Sequence, residues 1–140
     1  EGPTILRGPT TTTDFPPDLD AATTWYTDFF GTPPYFTVPG GYVEFRIGDY
    51  EHEFGIVNST YAPHDTRTSP AGAITYWAVD DLQATLDRLT ELGATPHDQP
   101  RVRGEGYTTA SVVDPFGNVL GIMTNAHYHH ILDRTHNPEA

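Results

Sequence analysis

Glu51 and Glu53 flank His52 in a run that reads as a β-strand, and Glu44 and Arg46 stand on the strand before it. Strand side chains alternate between two faces, so Glu51, Glu53, Gly55 and Val57 share one face, with His52, Phe54 and Ile56 on the other. Two carboxylates on one face could hold a cation or serve as general bases. They could equally be solvated strand-end groups of an acidic chain. Glu44 and Arg46 alternate with Val43, Phe45 and Ile47, and either pair inside a cavity or lie on an open sheet face. A metal is suggested by His127-Tyr128-His129-His130 and by His64 beside Asp65. The histidine cluster follows the final strand, in a tail where no helix or strand is expected to fix its geometry. Incidental nickel affinity is therefore expected there rather than a built site.

Other chemistries are excluded by composition. Cysteine and lysine are absent, which removes disulfides, thiol catalysis, thiolate metal sites and lysine Schiff bases. Ser59, Ser69 and Ser111 stand in no Gly-x-Ser-x-Gly elbow. Gly40-Gly41 precedes a strand, with no helix behind it to cradle a phosphate. The net charge of −12 argues against a nucleic-acid partner and would attract cationic ligands from a distance. No run approaches the roughly 18 apolar residues of a membrane helix. No charged-then-apolar leader is visible at the start, so a soluble, cytoplasmic protein with no membrane partner is expected.

The elements that must position these residues follow from periodicity. Thr10 to Phe15 is a β-branched run halted by Pro16-Pro17. Asp18 then caps a helix in which Leu19, Ala22, Trp25, Tyr26 and Phe29 fall at spacings of three and four, closed by Gly31. Tyr35 to Val38, Tyr42 to Ile47 and Glu51 to Asn58 are strands, the last two joined by a turn at Gly48-Asp49. Residues 59–72 form a hinge. Ala73 to Val79 is a strand, and Asp80-Asp81 caps a helix with a Leu82, Leu86, Leu89, Leu92 stripe. Gln99 to Arg103 is a strand edge. Tyr107 to Val113 and Val119 to Thr124 make a hairpin around Asp114-Pro115-Phe116-Gly117-Asn118. Trp25 and Trp77 fall on core-facing positions, whereas Tyr76 and Tyr107 are better placed to stack on a ligand.

The chain thus states one pattern twice. Asp18-Leu19-Asp20-Ala21 returns as Asp81-Leu82-Gln83-Ala84, and Gly55-Ile56 returns as Gly121-Ile122. Two copies are too few for a solenoid and point to two fused modules within a single domain of residues 1–140. Module 1 covers about 10–58, module 2 about 73–125, and a tail runs from 126 to 140.

A duplicated βαβββ unit carrying Asp18-Leu19-Asp20-Ala21, Val79-Asp80-Asp81-Leu82, Leu92-Gly93-Ala94 and above all Asp114-Pro115-Phe116-Gly117-Asn118 resembles the vicinal oxygen chelate superfamily. That superfamily includes glyoxalase I, extradiol dioxygenases, fosfomycin-resistance enzymes and bleomycin-binding proteins. The resemblance covers about residues 10–125. It implies an α+β fold in which the two modules pair into concave, half-barrel mixed sheets with helices outside. It also implies a homodimer.

In metal-using relatives four ligands come from the first and last strands of each half. Carried onto this chain, those positions are Thr11, Gly55, Ile74 and Gly121. Glycine and isoleucine offer no donor, so no metal and no cofactor is expected. The resemblance then implies metal-free binding, or sequestration, of a small organic molecule, aromatic or cationic, as in antibiotic resistance. Replacing the chelating Glu by Gly is expected to open volume beside the backbone for a flat guest. The expected ligand-binding residues are Thr11, Thr13, Glu44, Arg46, Glu53, Gly55, Tyr76, Tyr107, Gly121 and Met123, with no catalytic residue assigned. The alternative is a lyase, isomerase or dioxygenase-type enzyme whose active-site groups are displaced to Glu44, Glu51, His52 and Glu53. A domain serving assembly or regulation is a third reading.

Overall fold

The computed structural model describes residues 5, 7, 9–63 and 72–136. The chain divides into two compact units, Glu1–Pro63 and His64–Ala140, with the boundary inside the expected hinge. Each unit is built from one βαβββ pattern around its own four-stranded sheet.

In the first unit β1 (Thr11–Asp14) leads into α1 (Leu19–Phe30), followed by β2 (Phe36–Val38), β3 (Tyr42–Ile47) and β4 (His52–Val57). The strand order is β1-β4-β3-β2, with β1 parallel to β4 and the other pairs antiparallel. The helix starts where the sequence supplies a cap: Asp18 accepts a hydrogen bond from the Ala21 amide at 3.0 Å. It ends at Gly31, whose φ of 74° is a left-handed conformation that glycine adopts without a steric penalty. Helix α1 buries Leu19, Ala22 and Tyr26. The strands answer with Val43, Phe45, Phe54 and Ile56. Tyr26, Phe30, Phe45 and Phe54 meet with ring centroids 4.8–6.5 Å apart, the range in which aromatic pairs attract.

The second unit repeats the plan. Here β5 (Thr75–Ala78) leads into α2 (Leu82–Glu91), then β6 (Thr95–Gly104), β7 (Tyr107–Val113) and β8 (Val119–Asn125), in the order β5-β8-β7-β6. Asp81 caps α2 through the Ala84 amide, again at 3.0 Å. The core is Leu89, Ala94, Ala110, Val112, Leu120 and Ile122. Asp114, only 3% exposed, organises the β7–β8 turn by accepting from the amides of Phe116 and Asn118 and from Asn118 Nδ2. Neither sheet closes on itself.

Several expected boundaries shift. Glu51 is not in a strand: it closes a turn with its amide bonded to the Gly48 carbonyl and carries φ 53°. Strand β6 begins at Thr95, not Gln99, and β5 begins at Thr75, leaving Ile74 just before it. The tail forms a helix, α3 (Ala126–His136), instead of remaining irregular. Asn125 Oδ1 accepts from the Tyr128 amide at 2.9 Å, the bond that starts such a helix. His64 and Asp65 lie outside the described residues.

Candidate functional site

Register assigns the faces. In the first unit Thr11 pairs with Glu53, Thr13 with Gly55, Glu44 with Gly55 and Arg46 with Glu53. Because paired residues point the same way, Thr11, Thr13, Tyr42, Glu44, Arg46, Glu53 and Gly55 share the face opposite the buried Val43, Phe45, Phe54 and Ile56. The six expected residues of module 1 are therefore brought together.

Two sets of polar contacts form on this face. Thr11 Oγ1 donates to Glu53 Oε1 at 2.6 Å. Tyr42 donates its hydroxyl proton to Glu44 Oε1 at 2.8 Å, and Arg46 Nε stands 3.5 Å from Glu44 Oε2. The Glu44 side chain is 14% exposed and that of Arg46 36%. The pair thus forms within the face, with the carboxylate sheltered and the guanidinium nearer solvent. The Arg46 guanidinium carbon lies 3.9 Å from the centroid of the exposed Tyr35 ring, a cation–π contact. Burial pushes the Tyr42 hydroxyl up to about 12, aided by its bond to Glu44 and the charges of Glu44 and Glu53. Tyr42 is thereby held as a neutral donor.

Parity in the second unit works the same way. Tyr76 pairs with Gly121, Ser111 with Gly121, Thr109 with Met123 and Tyr107 with Asn125. Tyr76, Tyr107, Gly121 and Met123 share the face opposite Ala110, Val112, Leu120 and Ile122. Thr109 and Ser111 belong to this face as well.

The glycines do not open the volume that sequence reasoning expects. A Cβ on Gly55 would stand 2.8 Å from the hydroxyl and Cε1 of Tyr42. One on Gly121 would stand 2.5 Å from Cδ1 of Tyr76 and 2.9 Å from the Thr75 carbonyl oxygen. A tyrosine ring from a nearby strand thus lies over each glycine, covering backbone that glycine leaves bare. Tyr42 was missed although a signal existed, since it alternates with Glu44 and Arg46 on the same strand.

This packing also decides the fit of the metal that the resemblance implies. Glycine carries no donor, and the space that a carboxylate would need at either position is filled by a tyrosine. The residues present do not fit that metal. On α3, His127, His129 and His130 have a helical frame, yet no group of three or more His, Asp or Glu side chains gathers as a metal would require among the described residues. A pocket lies between α2 and β6, lined by Gln83, Leu86, Asp87, Thr90, Pro96 and Gln99, with Asp98 and Ser111 also contributing. None of the ten expected ligand-binding residues lines it.

Comparison with known proteins bears on this geometry. The profile of the Glyoxalase/Bleomycin resistance protein/Dioxygenase superfamily matches residues 12–122. No curated protein sequence matches the chain. Among solved structures, lactoylglutathione lyase from Agrobacterium tumefaciens is similar with a TM-score of 0.65 at 21% identity, covering 88% of this chain and 96% of that one. A fosfomycin resistance protein from Mesorhizobium loti gives 0.66 at 16% identity, with 91% and 99% covered. A bleomycin resistance determinant encoded on the transposon Tn5 gives 0.60 at 20% identity, with 85% and 98% covered. At these identities the likeness establishes the fold.

Proposed function

The chain belongs to the Glyoxalase/Bleomycin resistance protein/Dioxygenase superfamily, and on that footing we propose that it binds a small, aromatic, cationic organic molecule without a metal. The observation that carries this reading is the first unit's sheet face, where Tyr42 lies over Gly55 beside Glu44 and Glu53. Two carboxylates and one guanidinium leave that face net negative. Tyr42 supplies aromatic surface on that face, and a flat cation gains from a ring beside carboxylates. The chain's negative field raises the local concentration of such a guest.

Tyr76, Tyr107 and Met123 offer a second apolar and aromatic surface on the other unit. In this reading the protein sequesters its guest and does not transform it, because no nucleophile or metal-activated water is required. Two structurally similar proteins are named for resistance to bleomycin and to fosfomycin, and protection against an antibiotic is the corresponding role here. A homodimer acting in the cytoplasm completes the proposal.

The test is calorimetric titration of untagged protein, prepared without a nickel column, with bleomycin and a panel of cationic aromatic antibiotics. Saturable binding that is unchanged by EDTA is expected. Absence of binding across the panel, or binding that requires a stoichiometric metal, overturns the reading.

A further inference from the structure

Strand β6 pairs with β7 through three register shifts, between Pro96 and Asp98, Asp98 and Arg101, and Val102 and Gly104. Bulges of this kind re-aim side chains on the longer strand. Here they bring four polar residues to the face that carries Thr109 and Ser111. His97 Nδ1 lies 2.9 Å from Ser111 Oγ. Arg103 Nε donates to Thr109 Oγ1 at 3.0 Å. The Asp98 carboxylate accepts from Arg101 Nε at 2.9 Å and stands 3.7 Å from Arg103 Nη2.

One carboxylate therefore anchors two guanidiniums. A staple for an edge strand needs only one cation per carboxylate, and the second arginine leaves β6 with net positive charge in a chain of −12. The next acidic residue, Glu105, lies in the following turn. Arg101 uses its Nε and Arg103 its Nε and Nη2. The Nη groups of Arg101 and Nη1 of Arg103 have no hydrogen-bond partner among the described residues. The two side chains are 61% and 53% exposed, so these donors reach solvent. Paired guanidinium donors match the spacing of oxyanion acceptors, which makes arginine the usual partner of carboxylate and phosphate groups.

We infer that the β6–β7 face of the second unit is an oxyanion subsite, in which Arg101 and Arg103, held by Asp98, take a carboxylate, phosphate or phosphonate group of a small molecule. Asp98 is a positioning residue: its two oxygens hold Arg101 through Nε and Arg103 through Nη2, while Thr109 accepts from Arg103 Nε. This subsite rests on observations separate from the first unit's face. A bleomycin titration and an oxyanion titration can each fail without the other.

The full-length chain, labelled with nitrogen-15, is titrated by NMR with inorganic phosphate, methylphosphonate and acetate at constant ionic strength. Saturable shifts are expected at the Nε–H of Arg101 and Arg103 and at the amides of Thr109 and Ser111. The anion giving the tightest curve identifies the group recognised. Arg103→Met and Arg101→Met should each weaken the apparent affinity about tenfold, the scale of one charge-assisted contact. Arg88→Met, which alters an arginine on α2 paired with Glu91, should leave it unchanged. Non-saturating shifts for all three anions overturn the inference. So does an unchanged affinity in folded Arg101→Met, whose side chain lies mostly in solvent and whose loss the fold should tolerate.

Discussion

The hydroxyl of Tyr42 lies 2.8 Å from the point where a Cβ on Gly55 would stand, so the tyrosine packs directly on the bare backbone of this glycine. Tyr76 and Gly121 repeat the relationship with a different part of the ring. At Gly55 the near atoms are Cε1, Cζ and the hydroxyl, the far end of a side chain that can swing away. At Gly121 they are Cδ1 and Cγ, close to the backbone, together with the Thr75 carbonyl oxygen.

Gly121→Ala should therefore destabilise the protein by about 1–3 kcal/mol, as overpacking does. Gly55→Ala should lose less, since its strain is relieved by a rotamer change and its backbone gains stiffness. Urea midpoints of the two variants check the order. Equal losses, or a larger loss at Gly55, would remove the claim that Tyr76 is the less adjustable ring.

Alkaline titration should reveal the raised Tyr42 hydroxyl. Its folded value of about 12 lies above the ordinary tyrosine value of 10.0, so between these the folded chain binds more protons than the unfolded one. Stability should fall as pH rises through that window, and the tyrosine's contribution should be intact below pH 10. Absorbance at the tyrosinate band should show an ionisation step near pH 12, and Tyr42→Phe should remove one group from it. A titration curve identical to wild type in Tyr42→Phe would contradict the assignment.

The Asp114 turn offers a sharper stability test. Removing its carboxylate strands three donors that it now satisfies in a buried turn. Asp114→Ala should cost about 3 kcal/mol, whereas Asp114→Asn, which keeps an oxygen for the two amides, should cost clearly less. Chemical denaturation distinguishes them. A near-neutral alanine variant would show that glycine and proline set this turn without the carboxylate.

On the first unit's face, Glu44→Gln should weaken binding of a cationic guest by about tenfold, because it removes a sheltered charge that the guest would meet. Treatment with EDTA should leave wild-type affinity unaltered. Calorimetry reads both effects. Affinity that is indifferent to Glu44 but abolished by chelation would move the chemistry to a metal at other residues.

Much of this site was legible in advance because strand parity is a local property. Alternation put Glu53 on one face with Gly55, Glu44 with Arg46, and Gly121 with Met123; that Thr11, Glu44 and Arg46 share the face of Gly55, and Tyr76 that of Gly121, follows from the register between strands. The two caps at Asp18 and Asp81 were equally legible, since an N-cap bond spans only three residues. The His97, Asp98, Arg101 and Arg103 cluster was not. Its members meet only because β6 bulges, and a bulge depends on how ten residues are matched against a partner strand. Helix α3 was missed because its start depends on Asn125 turning from the last strand to cap it.

The repeated βαβββ pattern, the two helix caps, the Asp114 turn and the absence of ligating groups at Gly55 and Gly121 are properties of the sequence by itself. They depend on residue type and short spacing alone. What lies over those glycines was decided by tertiary structure. The tyrosines that cover them come from other strands, and only pairing in register brings Tyr42 to Gly55 and Tyr76 to Gly121. A missing side chain reads in one dimension as empty space. In three dimensions close packing fills it.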